Sequence, residues 1–197
     1  MTIRRFSLCL LLAGGLAGCA SAPPPPPKFA DIRFTQEAPL RLNVARMELI
    51  DRFQPSFQAP EIEHEFAVPP QRALANLFKD RLQAVAPESG AVARFTIEDA
   101  SVRESELPRT PGIEGAFTVD QAERYDGRVA VKLVIYDANG LAVRTATVEA
   151  TASRSVPEDI TLNDRDRTWY EMSQELVRSL DRRLEQQVDE SFFPYKG

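Results

Sequence analysis

Between residues 40 and 50 apolar positions alternate with polar ones. Leu40, Leu42 and Val44 fall on one face and Arg41, Asn43 and Ala45 on the other, the two-residue period of a half-buried strand. The register slips at Arg46 before Met47, Leu49 and Ile50 resume it, which predicts a bulge or a strand end there. Then the period changes. After Pro69-Pro70, suited to a first helical turn, Leu74, Leu77, Phe78, Leu82 and Val85 recur at helical spacing, while Arg72, Asn76, Lys79, Asp80 and Gln83 fall elsewhere. This predicts a surface helix that ends before Pro87 and Gly90. Residues 92–102 read as the next strand, with Phe95 and Ile97 on one face. Strand, helix and strand in that order predict a βαβ crossover, with parallel strands and a right-handed connection.

The clearest strand runs from Tyr125 to Tyr136. Val129, Val131, Leu133 and Ile135 share one face, and Arg128, Ala130, Lys132, Val134 and Tyr136 the other. Asp137-Ala138-Asn139-Gly140 contains the Asn-Gly pair that favours a tight hairpin, and residues 141–152, rich in threonine, return as its partner. A long helix closes the chain. Asn163 is its expected N-cap, with Asp164 and Asp166 favourable at the positive end of the dipole. Trp169, Met172, Leu176, Leu180, Leu184 and Val188 form its apolar stripe, which serves either packing against the sheet or, less commonly, a partner helix. The order β-α-β-β-β-α predicts an α+β two-layer sandwich: a mixed sheet of about four strands with two helices on one face. The other face is then solvated or covered by a partner.

Two long segments stand apart from this pattern. Residues 51–68 carry Phe53, Phe57 and Phe66 among prolines, and residues 103–118 carry two prolines and two glycines with Phe117 near the end. Irregular loops of this length are uncommon without a role. They are either pinned to the domain by their phenylalanines or form a partner surface, so Phe53, Phe57, Phe66 and Phe117 are the candidate binding residues.

Ahead of the domain, Arg4 and Arg5 precede a short apolar run, Phe6 to Leu12, and then Leu16-Ala17-Gly18-Cys19. The run is shorter than the roughly 20 residues needed to span a bilayer, and the whole has the parts of a secretory signal. The tetrapeptide resembles the lipobox of bacterial lipoproteins. That resemblance implies a signal peptide over 1–18, acylation of Cys19, and a domain facing the periplasm. Several acyl chains together give stable anchoring. Ala20, where an aspartate would retain an enterobacterial lipoprotein in the inner membrane, implies the outer membrane. Pro23–Pro27 follow, and five prolines as polyproline II extend roughly 15 Å. They suit a stalk within a tether over 19–38, the alternative being a ligand for a proline-recognition module. The domain occupies 39–197.

Loss of Arg4 and Arg5 from the 24 basic residues leaves 22 against 29 acidic, and the formal charge moves from −5 to −7. Such a balance argues against a nucleic-acid partner and against adhesion to anionic headgroups by charge. Cys9 leaves with the signal and Cys19 takes lipid, so the domain keeps no thiol for a disulfide, a nucleophile or a metal. His64, the one histidine, sits in Glu61-Ile62-Glu63-His64-Glu65. Without a second histidine or a cysteine the usual zinc sets do not form. No P-loop, dinucleotide fingerprint or Gly-x-Ser-x-Gly elbow occurs. No catalytic residue, metal or cofactor is expected, and the chain reads as a non-enzymatic protein.

Val156-Pro157-Glu158-Asp159 and Trp169-Tyr170-Glu171-Met172 resemble an uncharacterised alphaproteobacterial set of small envelope lipoproteins. Size, anchor and element order are also similar to the auxiliary lipoproteins of ABC-type lipid transport systems, and in style to the lipoprotein that plugs the lipopolysaccharide translocation barrel. These resemblances imply an outer-membrane protein that binds or helps assemble an envelope transport system, with a protein partner. The alternative they leave is a carrier that holds a lipid between sheet and helices.

Overall fold

The computed structural model describes residues 29–108 and 121–197. Cys19, the signal and proline segments and Phe117 lie outside them. The elements are β1 (Leu40–Leu42), β2 (Arg46–Asp51), α1 (Pro70–Arg81), β3 (Leu82–Ala84), β4 (Val92–Glu106), β5 (Gln121–Tyr136), β6 (Ala142–Pro157) and α2 (Leu162–Ser191). A mixed sheet has the order β2-β4-β5-β6, and β1 and β3 form a second, two-stranded sheet. The architecture is α+β, with both helices on one face of the larger sheet.

The slip at Arg46 is a change of sheet. Leu40–Leu42 pair in parallel with Leu82–Ala84, whereas Arg46–Asp51 pair in parallel with 92–97. Of the bulge and the strand end that the slip predicts, the strand end is found. The parallel crossover through α1 is present, but α1 is shorter than its periodicity predicts. It stops at Arg81, and Leu82 enters β3 with φ −93° and ψ 125°. Leu82 packs as a strand residue and Val85 is partly exposed. The reason is tertiary: β1 offers a ladder at that point, and the backbone N–H of Val85 donates to the Leu42 carbonyl at 3.0 Å. The chain end closes the other side of β1, where Asn43 N–H donates to the Tyr195 carbonyl at 2.6 Å.

β4, β5 and β6 form an antiparallel meander. β4 is longer than expected and runs to Glu106, so the second long loop begins later than residue 103. A register shift between Ile97 and Asp99 inserts one extra residue, which moves the inward set from Phe95 and Ile97 to Ala100 and Val102. On β5 the inward face is Tyr125, Gly127, Val129, Val131, Leu133 and Ile135. On β6 it includes Ala146, Val148, Ala150 and Val156, all buried. These side chains are small, and α2 lies over them. At Gly127 the absence of a side chain makes room for α2: a Cβ there would stand 2.7 Å from Met172 Cε and 2.8 Å from Leu176 Cδ1. The α2 stripe is buried from Trp169 to Val188, and Phe78 of α1 meets Phe95 with ring centroids 5.7 Å apart.

The helix start also differs from expectation. Thr161, not Asn163, is the N-cap: its Oγ1 accepts from the Asp164 N–H at 3.1 Å and donates to the Asp164 carboxylate at 2.7 Å. Asp164 in the first turn favours the helix dipole, as expected. No helix among the described residues is long and apolar enough to cross a membrane.

Candidate functional site

The end of the molecule that carries the start of β5 and the first turns of α2 gathers most of the chemistry. β4 and β5 pair Glu104 with Tyr125 and Glu106 with Glu123, so the β4 and β5 carboxylates meet diagonally on the helix-facing side. Tyr125 Oη donates to Glu123 at 2.6 Å, and Arg165 of α2 donates to the other carboxylate oxygen at 3.2 Å. Glu104 hydrogen-bonds Glu123, and burial together with the negative charge of Glu123 raises Glu104 above an ordinary glutamate. Burial, and then Glu123, also raises the Tyr125 phenol. Arg165 and Tyr125 both bind the Glu123 carboxylate and hold it beside Glu104.

The aromatic floor of this end is Trp169. Phe66 stacks on it at 5.1 Å with planes 6° apart, and Tyr125 meets it edge-on at 5.9 Å. Trp169 is 8% exposed. Phe29, the first described residue, stacks on Tyr170 at 4.9 Å. The long 52–69 segment is fixed to the same end by backbone bonds: Ile62 N–H donates to the Val102 carbonyl at 2.9 Å, and Glu104 N–H to the Pro60 carbonyl at 2.9 Å. Glu63 is buried and accepts from the Val102 N–H at 3.2 Å.

The nominated aromatics part company here. Phe66 is 3% exposed and belongs to the core. Phe53 is half-buried against it, and Gln71 holds its carbonyl at 3.1 Å. Phe57 is 67% exposed, has φ +55°, and presents its ring to His64, centroids 5.3 Å apart. A bulky residue in the left-handed region is an outlier. Phe117 lies outside the described residues. His64 Nε2 is 3.9 Å from Glu65, and its Nδ1 is buried without a hydrogen-bond partner. Among the described residues no group of three or more His, Cys, Asp or Glu side chains is arranged to hold a metal.

The sheet face away from the helices is polar. Glu48 of β2 binds Arg94 of β4 at 3.0 Å and Arg46 at 3.1 Å, and Arg94 lies over the Tyr136 ring at 4.9 Å. Arg128 of β5 joins Asp99 at 2.6 Å and Glu149 of β6 at 2.9 Å, while Asp126 takes Arg124 and Ser153. Arg94 holds Glu48 below an ordinary glutamate. A line of compensated charge thus crosses all four strands. Between α1 and α2, Arg81 is 2% exposed and binds Asp181 at 2.9 Å and Glu185 at 3.0 Å. Burial raises Asp181 in spite of that partner.

The sequence pattern alone does not single out Glu104, Glu123, Arg165, the Tyr125 phenol or the Arg81–Asp181 pair. The pairing depends on strand register and helix placement, for which adjacent residues give no signal.

No protein-family model matches this chain, and no curated protein sequence matches it. Similar solved structures include a minor lipoprotein from Acinetobacter baumannii, at 14% identity and TM-score 0.37 over 74% of this chain and 90% of that one. A provisionally assigned lipoprotein from Caulobacter crescentus shows 11% identity and TM-score 0.40 over 72% and 86%. The PelC dodecamer from Paraburkholderia phytofirmans shows 12% identity and TM-score 0.24 over 73% and 92%. At TM-scores this low the likeness carries no function across.

Proposed function

We propose that this chain is a lipid-anchored, periplasm-facing lipoprotein of the outer membrane that acts as a non-enzymatic binding or assembly component in envelope transport. The anchor part of the reading rests on Leu16-Ala17-Gly18-Cys19 behind a charged and apolar leader. The binding part rests on one observation: the space between sheet and helices is filled. Phe95, Leu133, Met172, Leu176 and Leu180 are fully buried there, and the tips of Met172 and Leu176 reach the space above Gly127. A carrier needs an apolar cavity of a few hundred Å³ at such a place. Recognition on a packed domain falls to its surface, through contacts with a protein partner of the envelope.

The carboxyl pair at Glu104 and Glu123 fits a structural role. Tyr125 and Trp169 are buried beside it, and Tyr125 and Arg165 each bond one oxygen of Glu123.

Crosslinking of the acylated protein in native membranes, followed by mass spectrometry of co-purified proteins and lipids, tests this reading. Recovery of transporter or barrel subunits is the expected result. Recovery of phospholipid alone in fixed ratio would replace it with a carrier. Cys19→Ser tests the anchor separately: the protein should move from the membrane fraction to the soluble fraction, and retention in the membrane would contradict lipidation.

A further inference from the structure

We infer that the end of the domain carrying Phe57 and Leu162 lies against the bilayer that holds the anchor, with those two side chains entering the headgroup and acyl boundary. The inference rests on the lipid-anchor reading of Cys19 and adds an orientation to it.

Four large apolar side chains are exposed among the described residues: Phe57 at 67%, Val85 at 38%, Leu141 at 65% and Leu162 at 78%. They divide between the ends of the molecule. Leu141 follows the β5–β6 turn and Val85 follows β3. Phe57 and Leu162 share the opposite end. Phe57 contacts His64, the His64 loop is bonded to 102–104 of β4, and Glu123 opposite that stretch is bonded to Arg165 in the first turns of α2. Leu162 opens that same helix.

The chain enters the fold at this end as well. Phe29 stacks on Tyr170, which is about 12 Å along α2 from Leu162 and about 32 Å from Ser191 at 1.5 Å per residue. The connection from Cys19 to Phe29 spans at most about 35 Å even when fully extended. A lipid on Cys19 therefore holds Phe29, and with it the Tyr170 end of α2, within about 35 Å of the membrane. Phe57 adds the second observation. It is held outward in a left-handed conformation that a bulky residue rarely adopts, and such outliers concentrate where a side chain is used. The net acidic charge is no obstacle, because insertion of apolar side chains needs no basic patch.

The test uses the acylated full chain in vesicles of phosphatidylethanolamine and phosphatidylglycerol doped with lipid spin-labelled near the headgroup. Cys9 leaves with the signal and the Cys19 sulfur is acylated, so Phe57→Cys, Leu162→Cys and Leu141→Cys each supply one reactive thiol for an environment-sensitive dye. Several-fold stronger quenching at positions 57 and 162 than at 141 is expected. Leu162→Cys changes an exposed helical position and keeps the test decisive if Phe57→Cys disturbs its loop. Flotation with the vesicles is read on the same samples. A chain that floats but is quenched equally at all three positions overturns the docking inference alone. A chain that does not float overturns the anchor reading and this inference with it. Shielding of the Phe57 label in native envelopes without quenching by lipid overturns the inference in favour of a protein partner.

Discussion

The two faces of the four-stranded sheet use the same strands for opposite ends. Toward the helices, β5 presents Tyr125, Val129, Val131, Leu133 and Ile135, all buried, and α2 closes over them. Away from the helices the same strand presents Arg124, Asp126, Arg128 and Lys132; Arg128 pairs with Asp99 and Glu149 on the neighbouring strands, and Asp126 pairs with Arg124 and accepts from the Ser153 hydroxyl. Val134 and Ala130 lie on this outer face yet are buried, as expected where long charged side chains lie across apolar neighbours. Stability resides in the first face. The second carries ion pairs between neighbouring strands. Exposed apolar side chains occur instead at the ends of the molecule, which is where contact with a membrane or a partner is to be sought.

Substitutions sharpen this contrast, and the inner face comes first. Trp169→Ala removes the ring between Phe66 and Tyr125 and should destabilise by about 3–5 kcal/mol in denaturant unfolding. A neutral result would place Trp169 outside the core. Arg81→Ala leaves Asp181 buried without its partner and should lower stability by about 3–5 kcal/mol. Pairing it with Asp181→Leu should recover much of the loss, and failure to recover would mean that the guanidinium acts through something other than Asp181.

Gly127→Ala brings a methyl group against the side-chain tips of Met172 and Leu176, which can shift, and should lower stability by about 1 kcal/mol. No loss would show slack between α2 and β5, and would reopen the possibility of a cavity there. Glu104→Gln works in the other direction. Its folded pKa is raised, so the folded state binds a proton more readily than the unfolded chain. The stabilisation is full below the ordinary glutamate range and is lost as pH rises through the raised value. Near neutral pH the amide removes the repulsion with Glu123 and should raise the thermal midpoint, by less than the losses above. The gain should vanish in acid, and a gain independent of pH would rule out a raised Glu104 pKa. Arg128→Ala on the outer face should change stability by only about 0.2–1 kcal/mol, and less in high salt. A loss comparable to the core variants would erase the difference between the faces.

Much of the inner face is legible in the sequence because it is periodic. Alternation marks β5, Asn139-Gly140 marks the hairpin, and the stripe from Trp169 to Val188 marks α2 as a helix laid on a core. What failed to show depends on distant partners. The apolar period of α1 continues through Leu82, but β1 captures that residue for a three-residue parallel ladder that no local pattern announces. Thr161 outcompetes Asn163 as N-cap because its hydroxyl reaches the Asp164 N–H. The candidate site is less legible still. Phe57 and Phe66 look alike as loop aromatics, yet stacking on Trp169 buries one and a left-handed backbone turns the other outward. Glu104 and Glu123 meet only through strand register, across a connection of more than a dozen residues. Arg81 and Asp181 meet only when α1 packs on α2.

The packed interior is the claim on which the binding reading depends, and native mass spectrometry of the acylated full chain released in detergent tests it most directly. The account predicts the mass of the chain and its covalent acyl groups alone. A phospholipid retained at one per chain, and lost when Gly127 or Leu176 is changed, would contradict it and place a lipid site between sheet and helices.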